Sequence, residues 1–218
     1  MKVEFPSVQL AAEDGLLAVG GNLQVETLIN AYTSGIFPWP VDEDYPLTWF
    51  APNPRGIIKT SNIKFSQSLK KFVNKTNFNI KINQDFESII TKCAHAKRKH
   101  ESGTWIYSNI IQAYTEMFNA KKAYCIGVYN DEALVGGLYG VCIGQLISGE
   151  SMFYEEANAS KLALYTLLNI LIEKKIPFID TQMVTPIIES FGGENISRPD
   201  FMDLLSSIDL TLDRESIF

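Results

Sequence analysis

The sequence predicts an α+β fold: a mixed sheet with helices in the larger part, preceded by a small irregular N-terminal part. Three observations carry this expectation. From Arg55 onward, apolar runs of period two alternate with runs of helical period. Three strand-like runs follow one another between Ala123 and Phe153 with only short turns between them, as in an antiparallel meander. A long apolar helix then leads into a short apolar strand, giving a strand–helix–strand crossover.

Gly15, Gly20, Gly21 and Gly35, with Pro38, Pro40, Pro46, Pro52 and Pro54, punctuate the start of the chain and exclude long elements there. One helix is expected, roughly Glu26 to Ser34, closed by Gly35. Ile36 to Pro54 reads as an aromatic loop. The expected division is therefore a small N-terminal domain over residues 1–54 and a larger domain over 55–218.

In the second part, Gly56–Thr60 reads as a strand, Ser66–Asn74 as a basic helix and Phe78–Ile82 as an alternating strand. Asp85–Lys97 reads as a helix with Phe86, Ile89, Ile90 and Cys93 on one face, and Ser108 as the N-cap of a helix through about Asn119. The meander strands are Ala123–Tyr129, Leu134–Ile143 and Leu146–Phe153, turning at Asn130-Asp131 and Gly144-Gln145. Ser160–Lys175 is the strongest helix and Pro177–Thr181 a short buried strand. A helix near Thr185–Phe191 ends at Gly192-Gly193, and a last helix covers about Pro199–Ile208. This order is compatible with an acetyltransferase-like fold.

The 218 residues are 46% hydrophobic, enough for a sizeable core. The chain shows neither a membrane-length apolar run nor the apolar stretch of a secretory signal at its start. Three cysteines without C-x-x-C spacing, and only two histidines, speak against a disulfide framework and a metal centre. A cytoplasmic protein without a metal is expected. The net charge of −6 argues against a basic surface along the whole chain. Its distribution is uneven: Arg55–His100 carries eleven Lys and Arg against two acids, +9, and the remainder carries −15. A local polyanion site is compatible with that split.

Glu150 and Asp180 each end an apolar strand, where an unpaired carboxylate costs several kcal/mol on the order of magnitude. Taken singly, each reads at least as well as a paired acid, or as one in water past the strand edge, as it does as a functional group. The crossover between them can bring both to one sheet face, as in catalytic and amine-binding sites. Gln182 is expected on the face of Asp180, because the strand period is two. Ser151, Ser160 and Thr181 have no nearby histidine and no G-x-S-x-G, so a Ser/His hydrolase is disfavoured. The turn Tyr154-Glu-Glu-Ala-Asn-Ala-Ser-Lys161 has two acids and no glycine, which is unfavourable for the pyrophosphate of CoA. Trp39 and Trp105 sit in turn-like surroundings, where they read either as packing in a small core or, beside a basic surface, as indoles that stack a base for about 1–3 kcal/mol. Trp49 reads as core. Lys70 and Lys71 on the basic helix, and the cluster Lys97-Arg98-Lys99-His100, are solvated surface or phosphate contacts.

Specific motifs narrow the reading. They include Asp14-Gly-Leu-Leu-Ala-Val-Gly-Gly-Asn-Leu23, Ala31-Tyr-Thr-Ser-Gly-Ile-Phe-Pro-Trp39, Trp49-Phe-Ala-Pro-Asn-Pro-Arg55 and Gly103-Thr-Trp-Ile106. Leu134-Val-Gly-Gly-Leu-Tyr-Gly-Val141, Gly149-Glu-Ser-Met-Phe153, Asn158-Ala-Ser-Lys-Leu-Ala-Leu164, Ile179-Asp-Thr-Gln182 and Ile196-Ser-Arg198 follow in order. From Phe5 to about Leu205 the chain resembles the leucyl/phenylalanyl-tRNA–protein transferases.

That resemblance implies an acetyltransferase-like catalytic domain that uses no CoA or other cofactor. It implies transfer of Leu, Phe or Met from aminoacyl-tRNA to the α-amine of proteins beginning with Arg or Lys, marking them for N-degron degradation, by a monomeric enzyme. It assigns Asp180 and Gln182 to the reaction centre and Glu150 to a further active-site acid able to hold the cationic end of the acceptor. Trp39 and Trp105 match aromatics at the terminal adenosine of tRNA. An aminoacyl pocket would then draw on Leu138, Ile147, Met152, Leu164, Leu167 and Ile179, with Lys70 and Lys71 meeting tRNA phosphates. The family's Asp-Cys-Gln reads Asp180-Thr181-Gln182 here, its Asn-Asp-His reads Thr185-Pro186-Ile187, and its Ser-Arg-Ser reads Ser66-Gln67-Ser68. The alternatives are a CoA-dependent N-acyltransferase of the same fold and a non-catalytic binder of tRNA acceptor ends.

Overall fold

The computed structural model describes residues 3–96 and 104–218. In the N-terminal part, β1 (Leu16–Val19), α1 (Val25–Thr33), β2 (Phe37–Pro38) and β3 (Thr48–Phe50) form, the strands pairing antiparallel in the order β1-β3-β2. The expected aromatic loop is thus partly a small sheet. Its strands are too short and too rich in Gly and Pro to show a period, and cross-strand pairing holds them instead. Trp49, opposite both Ala18 and Pro38, is buried and donates from Nε1 to the Gly20 carbonyl at 2.8 Å.

Next come β4 (Arg55–Lys59), α2 (Gln67–Val73), β5 (Asn79–Ile82), α3 (Phe86–His95), α4 (Ser108–Asn119), β6 (Ala123–Asn130) and β7 (Ala133–Ile143). Then β8 (Leu146–Ile147), β9 (Ser151–Tyr154), α5 (Ala159–Glu173), β10 (Phe178–Gln182), α6 (Pro186–Ser190), β11 (Glu194–Ile196), α7 (Arg198–Ser206) and α8 (Arg214–Ile217) complete the chain. The expected α+β class holds, but the expected mixed sheet does not form among the described residues: the ladders are antiparallel, and parallel pairing is confined to an isolated bridge between two sheets. Ser66 caps α2 by accepting from Leu69 N–H, whereas Ser108 is the first helical residue, with Tyr107 at the cap. The cluster Lys97-Arg98-Lys99-His100 lies outside the described residues.

β5, β6 and β7 form an antiparallel sheet, extended from β7 by β8 and β9. One face carries α3 and α4, and the other carries α5. α5 buries Leu162, Leu164, Leu167, Leu168 and Leu171, each worth about 1.5–3 kcal/mol on full burial. Its first turn lies directly over Gly136, where a Cβ would come within 2.4 Å of the Ala159 Cβ. Leu28, Tyr32 and Trp49 of the N-terminal part share one core with Ile110, Tyr114, Tyr139, Phe178 and Phe201.

A second antiparallel sheet, β10-β4-β11, meets the first at a parallel bridge, Ser148 to Asp180. Beyond that bridge the two sheets part: β9 follows β7 and β10 follows β4. The strand expected over Leu146–Phe153 is broken here. Between Ile147 and Ser151 the chain spends one residue more than β7 spends between their partners Cys142 and Tyr139. The extra residue pushes the Ser148 carbonyl toward β7. Gly140 leaves room for it, and Tyr124 Oη donates to that carbonyl at 2.9 Å. A Cβ at position 140 would lie 1.8 Å from the Ser148 oxygen and 2.8 Å from the Tyr124 ring. Gly140→Ala is expected to lower the unfolding free energy by about 3 kcal/mol, read as a shift in the urea midpoint.

Candidate active site

Where the two sheets part, a cavity of about 340 Å³ opens between them. Phe37, Pro38 and Trp39 of the N-terminal part form one wall with Trp105, which precedes α4. Leu138, Met152, Leu164, Leu167 and Ile179 form the apolar body, and Ile187 and Ile188 of α6 add to it. Leu138 and Met152 are cross-strand partners and so present neighbouring side chains. The polar end consists of Glu150, Ser151, Thr181 and Gln182. This layout, an apolar chamber with a few convergent polar groups, is that of a small-ligand site.

Glu150 and Gln182 approach from opposite sheets. Glu150 follows the bulge at Ser148, and its Oε1 accepts from Ser148 Oγ at 2.6 Å and from Gln182 Nε2 at 3.1 Å. The Tyr32 hydroxyl, paired with the Tyr114 hydroxyl, also acts on the Glu150 carboxyl, so two buried hydroxyls back it. Desolvation raises the Glu150 pKa to about 7 against the lowering effect of the Ser148 and Tyr32 hydrogen bonds. Burial likewise holds the Tyr32 and Tyr114 hydroxyls well above their ordinary values, so both stay protonated.

Asp180 is placed differently from its expectation. A bulge between Asp180 and Gln182 breaks the two-residue period of β10, and Gln182 adopts φ 56°. Gln182 therefore turns into the cavity, while the Asp180 carboxylate faces Arg55 behind the wall. Arg55 Nε meets Asp180 Oδ1 at 2.8 Å, and Nη2 meets Oδ2 at 2.6 Å; both residues are 2% exposed or less. Asp180 Oδ1 also accepts from the backbone N–H of Gln182 at 3.0 Å. The Asp180 carboxylate thus reaches the cavity through Gln182.

Family comparison accounts for nearly all of the chain. The model for the leucyl/phenylalanyl-tRNA protein transferase N-terminal domain matches residues 21–53, and the leucyl/phenylalanyl-tRNA protein transferase model matches residues 57–206. The chain belongs to this family. It is 43% identical to the leucyl/phenylalanyl-tRNA–protein transferase of Shewanella sp. (strain ANA-3), over 93% of this chain and 86% of that protein. It is also 43% identical to that of Hydrogenovibrio crunogenus, over 93% of this chain and 80% of that one. A ribosomal-protein-alanine N-acetyltransferase from Brucella melitensis biovar Abortus 2308 aligns at TM-score 0.31 and 16% identity, over 44% of this chain and 73% of its own. That likeness is too slight to bear on function.

The chamber of this family member gathers most of the residues singled out from sequence. Trp39, Trp105, Leu138, Met152, Leu164, Leu167 and Ile179 line it, as do Glu150 and Gln182. Ile147 does not: it is fully buried in β8 opposite Cys142. Lys70 and Lys71 are exposed on α2, which packs against α5. Thr185, where the motif departs from its usual form, caps α6 by accepting from Ile188 N–H. Arg55, Tyr32, Tyr114 and Ser148 were missed as site residues. The signal for Arg55 was present: a guanidinium beside Ile57 and Ile58 in a strand needs a buried counter-charge. Among the described residues no helix is long and apolar enough to cross a membrane, and no cluster of three His, Cys, Asp or Glu is placed to hold a metal.

Proposed function

We propose that the protein transfers Leu, Phe or Met from aminoacyl-tRNA to the α-amine of proteins beginning with Arg or Lys, in the cytoplasm, as a monomer, marking them for N-degron degradation. The single observation that carries this reading is the chamber in which an apolar body ends at the Glu150–Gln182 pair. The aminoacyl side chain occupies the apolar body, and Trp39 and Trp105 stack on the terminal adenosine.

An aminoacyl ester is already activated, so the site needs to align the amine, take its proton and keep water out. The amine nitrogen forms a bond to the ester carbonyl carbon, and the bond to the terminal ribose oxygen breaks. Gln182 holds the amine. Glu150 takes its proton, and the departing ribose oxygen is protonated in turn. A carboxyl with a pKa raised to about 7 suits proton transfer near neutral pH better than anchoring a cation, which requires a permanent charge. Asp180 serves by fixing Gln182.

The test is incubation with labelled Phe-tRNA or labelled acetyl-CoA and a peptide starting with Arg. Label from Phe-tRNA is expected at the peptide N-terminus. Transfer from acetyl-CoA alone would overturn the reading, and tRNA binding without transfer would leave a binder. Lys70 and Lys71 are proposed to meet tRNA phosphates. Changing both to Ala is expected to flatten the slope of log affinity against log salt by about 1.5. An unaltered slope would place the phosphate surface elsewhere.

A further inference from the structure

We infer that Arg55 is a positioning residue for transfer: it fixes Asp180, which fixes Gln182. This rests on the transferase reading. Arg55 grips both carboxylate oxygens at 2.8 and 2.6 Å, so the Asp180 side chain has no freedom to rotate. One of those oxygens, Oδ1, is also the acceptor for the Gln182 backbone N–H at 3.0 Å. Gln182 needs such a tether. Its φ of 56° is a conformation that a side chain other than glycine adopts only when held there. The turn is tight, with Met183 N–H reaching back to the Thr181 carbonyl. Release of Asp180 would let the turn relax and withdraw the Gln182 amide from Glu150.

The guanidinium is itself held on three further sides. Nη1 donates to the Gly35 carbonyl at 3.1 Å, and the plane lies 4.7 Å from the Phe37 ring and 4.6 Å from the Phe201 ring. A buried ion pair by itself adds little stability, because desolvation offsets the attraction. A lysine would supply the charge but neither the two-pronged grip nor the flat faces. What the arginine adds is therefore geometry, and the group whose geometry it sets is the cavity amide.

The test is a double-mutant cycle of Arg55→Lys and Asp180→Asn, reading kcat and KM for Phe-tRNA with an Arg-starting peptide. Arg55→Lys alone is expected to lower kcat at least 30-fold while KM for Phe-tRNA stays within threefold. In the Asp180→Asn background the same change is expected to cost less than threefold, because its route to Gln182 is already cut. Loss by the same factor in both backgrounds, or less than threefold loss in the wild type, would overturn the inference and leave the reading intact. Should Arg55→Lys fail to fold, Arg55→Met in the Asp180→Asn background leaves no unpaired charge and decides the matter. Its kcat should equal that of Asp180→Asn, and a further tenfold loss in folded protein would overturn the inference. Absence of transfer by the wild type would overturn the transferase reading, and this inference with it.

Discussion

Asp180→Ala is expected to abolish measurable transfer and to lower the unfolding free energy by about 3–5 kcal/mol. The second effect comes from its partner. Arg55 is 2% exposed, and removing the carboxylate leaves its guanidinium buried without a counter-charge. Asp180→Asn keeps the shape of the side chain and one oxygen for the Gln182 N–H, so it should cost less stability. It should still lose about a hundredfold in kcat, since a neutral amide cannot be gripped on both sides as the carboxylate is. Urea midpoints and initial rates measured on the two variants separate the effects. An Asp180→Ala protein that unfolds like the wild type would show that Arg55 finds another partner. An Asp180→Asn protein with wild-type kcat would show that the carboxylate does not set Gln182.

Glu150→Gln is expected to cost about a hundredfold in kcat and to change two pH profiles. In the wild type, transfer should rise with pH through an inflection near 7, as Glu150 loses its proton and becomes able to accept another. The variant should lose that inflection and keep only the one near 8 that belongs to the acceptor α-amine. Stability moves in the opposite direction. The folded pKa of Glu150 lies above its unfolded value, so the folded state binds the proton more tightly. Its contribution is fully present below about 4.5 and is lost as pH rises toward about 7. Glu150→Gln should therefore flatten the stability profile across that window, measured by urea unfolding at several pH values. Retention of the kcat inflection in the variant would assign the proton to another group.

Local pattern made much of this architecture legible. The leucines of α5 have a helical period, β6 and β7 alternate or run apolar, and the turn at Gly144-Gln145 lies where its residue types put it. Glu150 stands out because a carboxylate in an apolar run is costly unless used, whereas Trp39 and Trp105, which also line the chamber, are singled out by the family motifs. The bulges were not legible. An extra residue in a strand is defined only against its partner, and nothing in Leu146–Phe153 alone reveals that β7 is one residue shorter there. The same limit misplaced the Asp180 side chain, since the period of two holds only while the strand stays regular. Ile147 was drawn into the pocket by its apolar character, which does not say how far along the sheet the chamber extends. Arg55 and Asp180 are 125 residues apart, so their pairing is a property of the sheet.

The core shared by the two ends of the chain sets an order on biogenesis. Leu28, Tyr32 and Trp49 leave the ribosome early, but Phe178 and Phe201, which complete their packing, come near the end of synthesis. Until then the N-terminal segment is an apolar stretch without its partners, and Arg55 is a cation without its anion. Chaperone capture during translation is therefore expected at the first fifty residues, with release when β10 and α7 arrive. The wall proposed to receive the tRNA end is thus largely translated first and secured last.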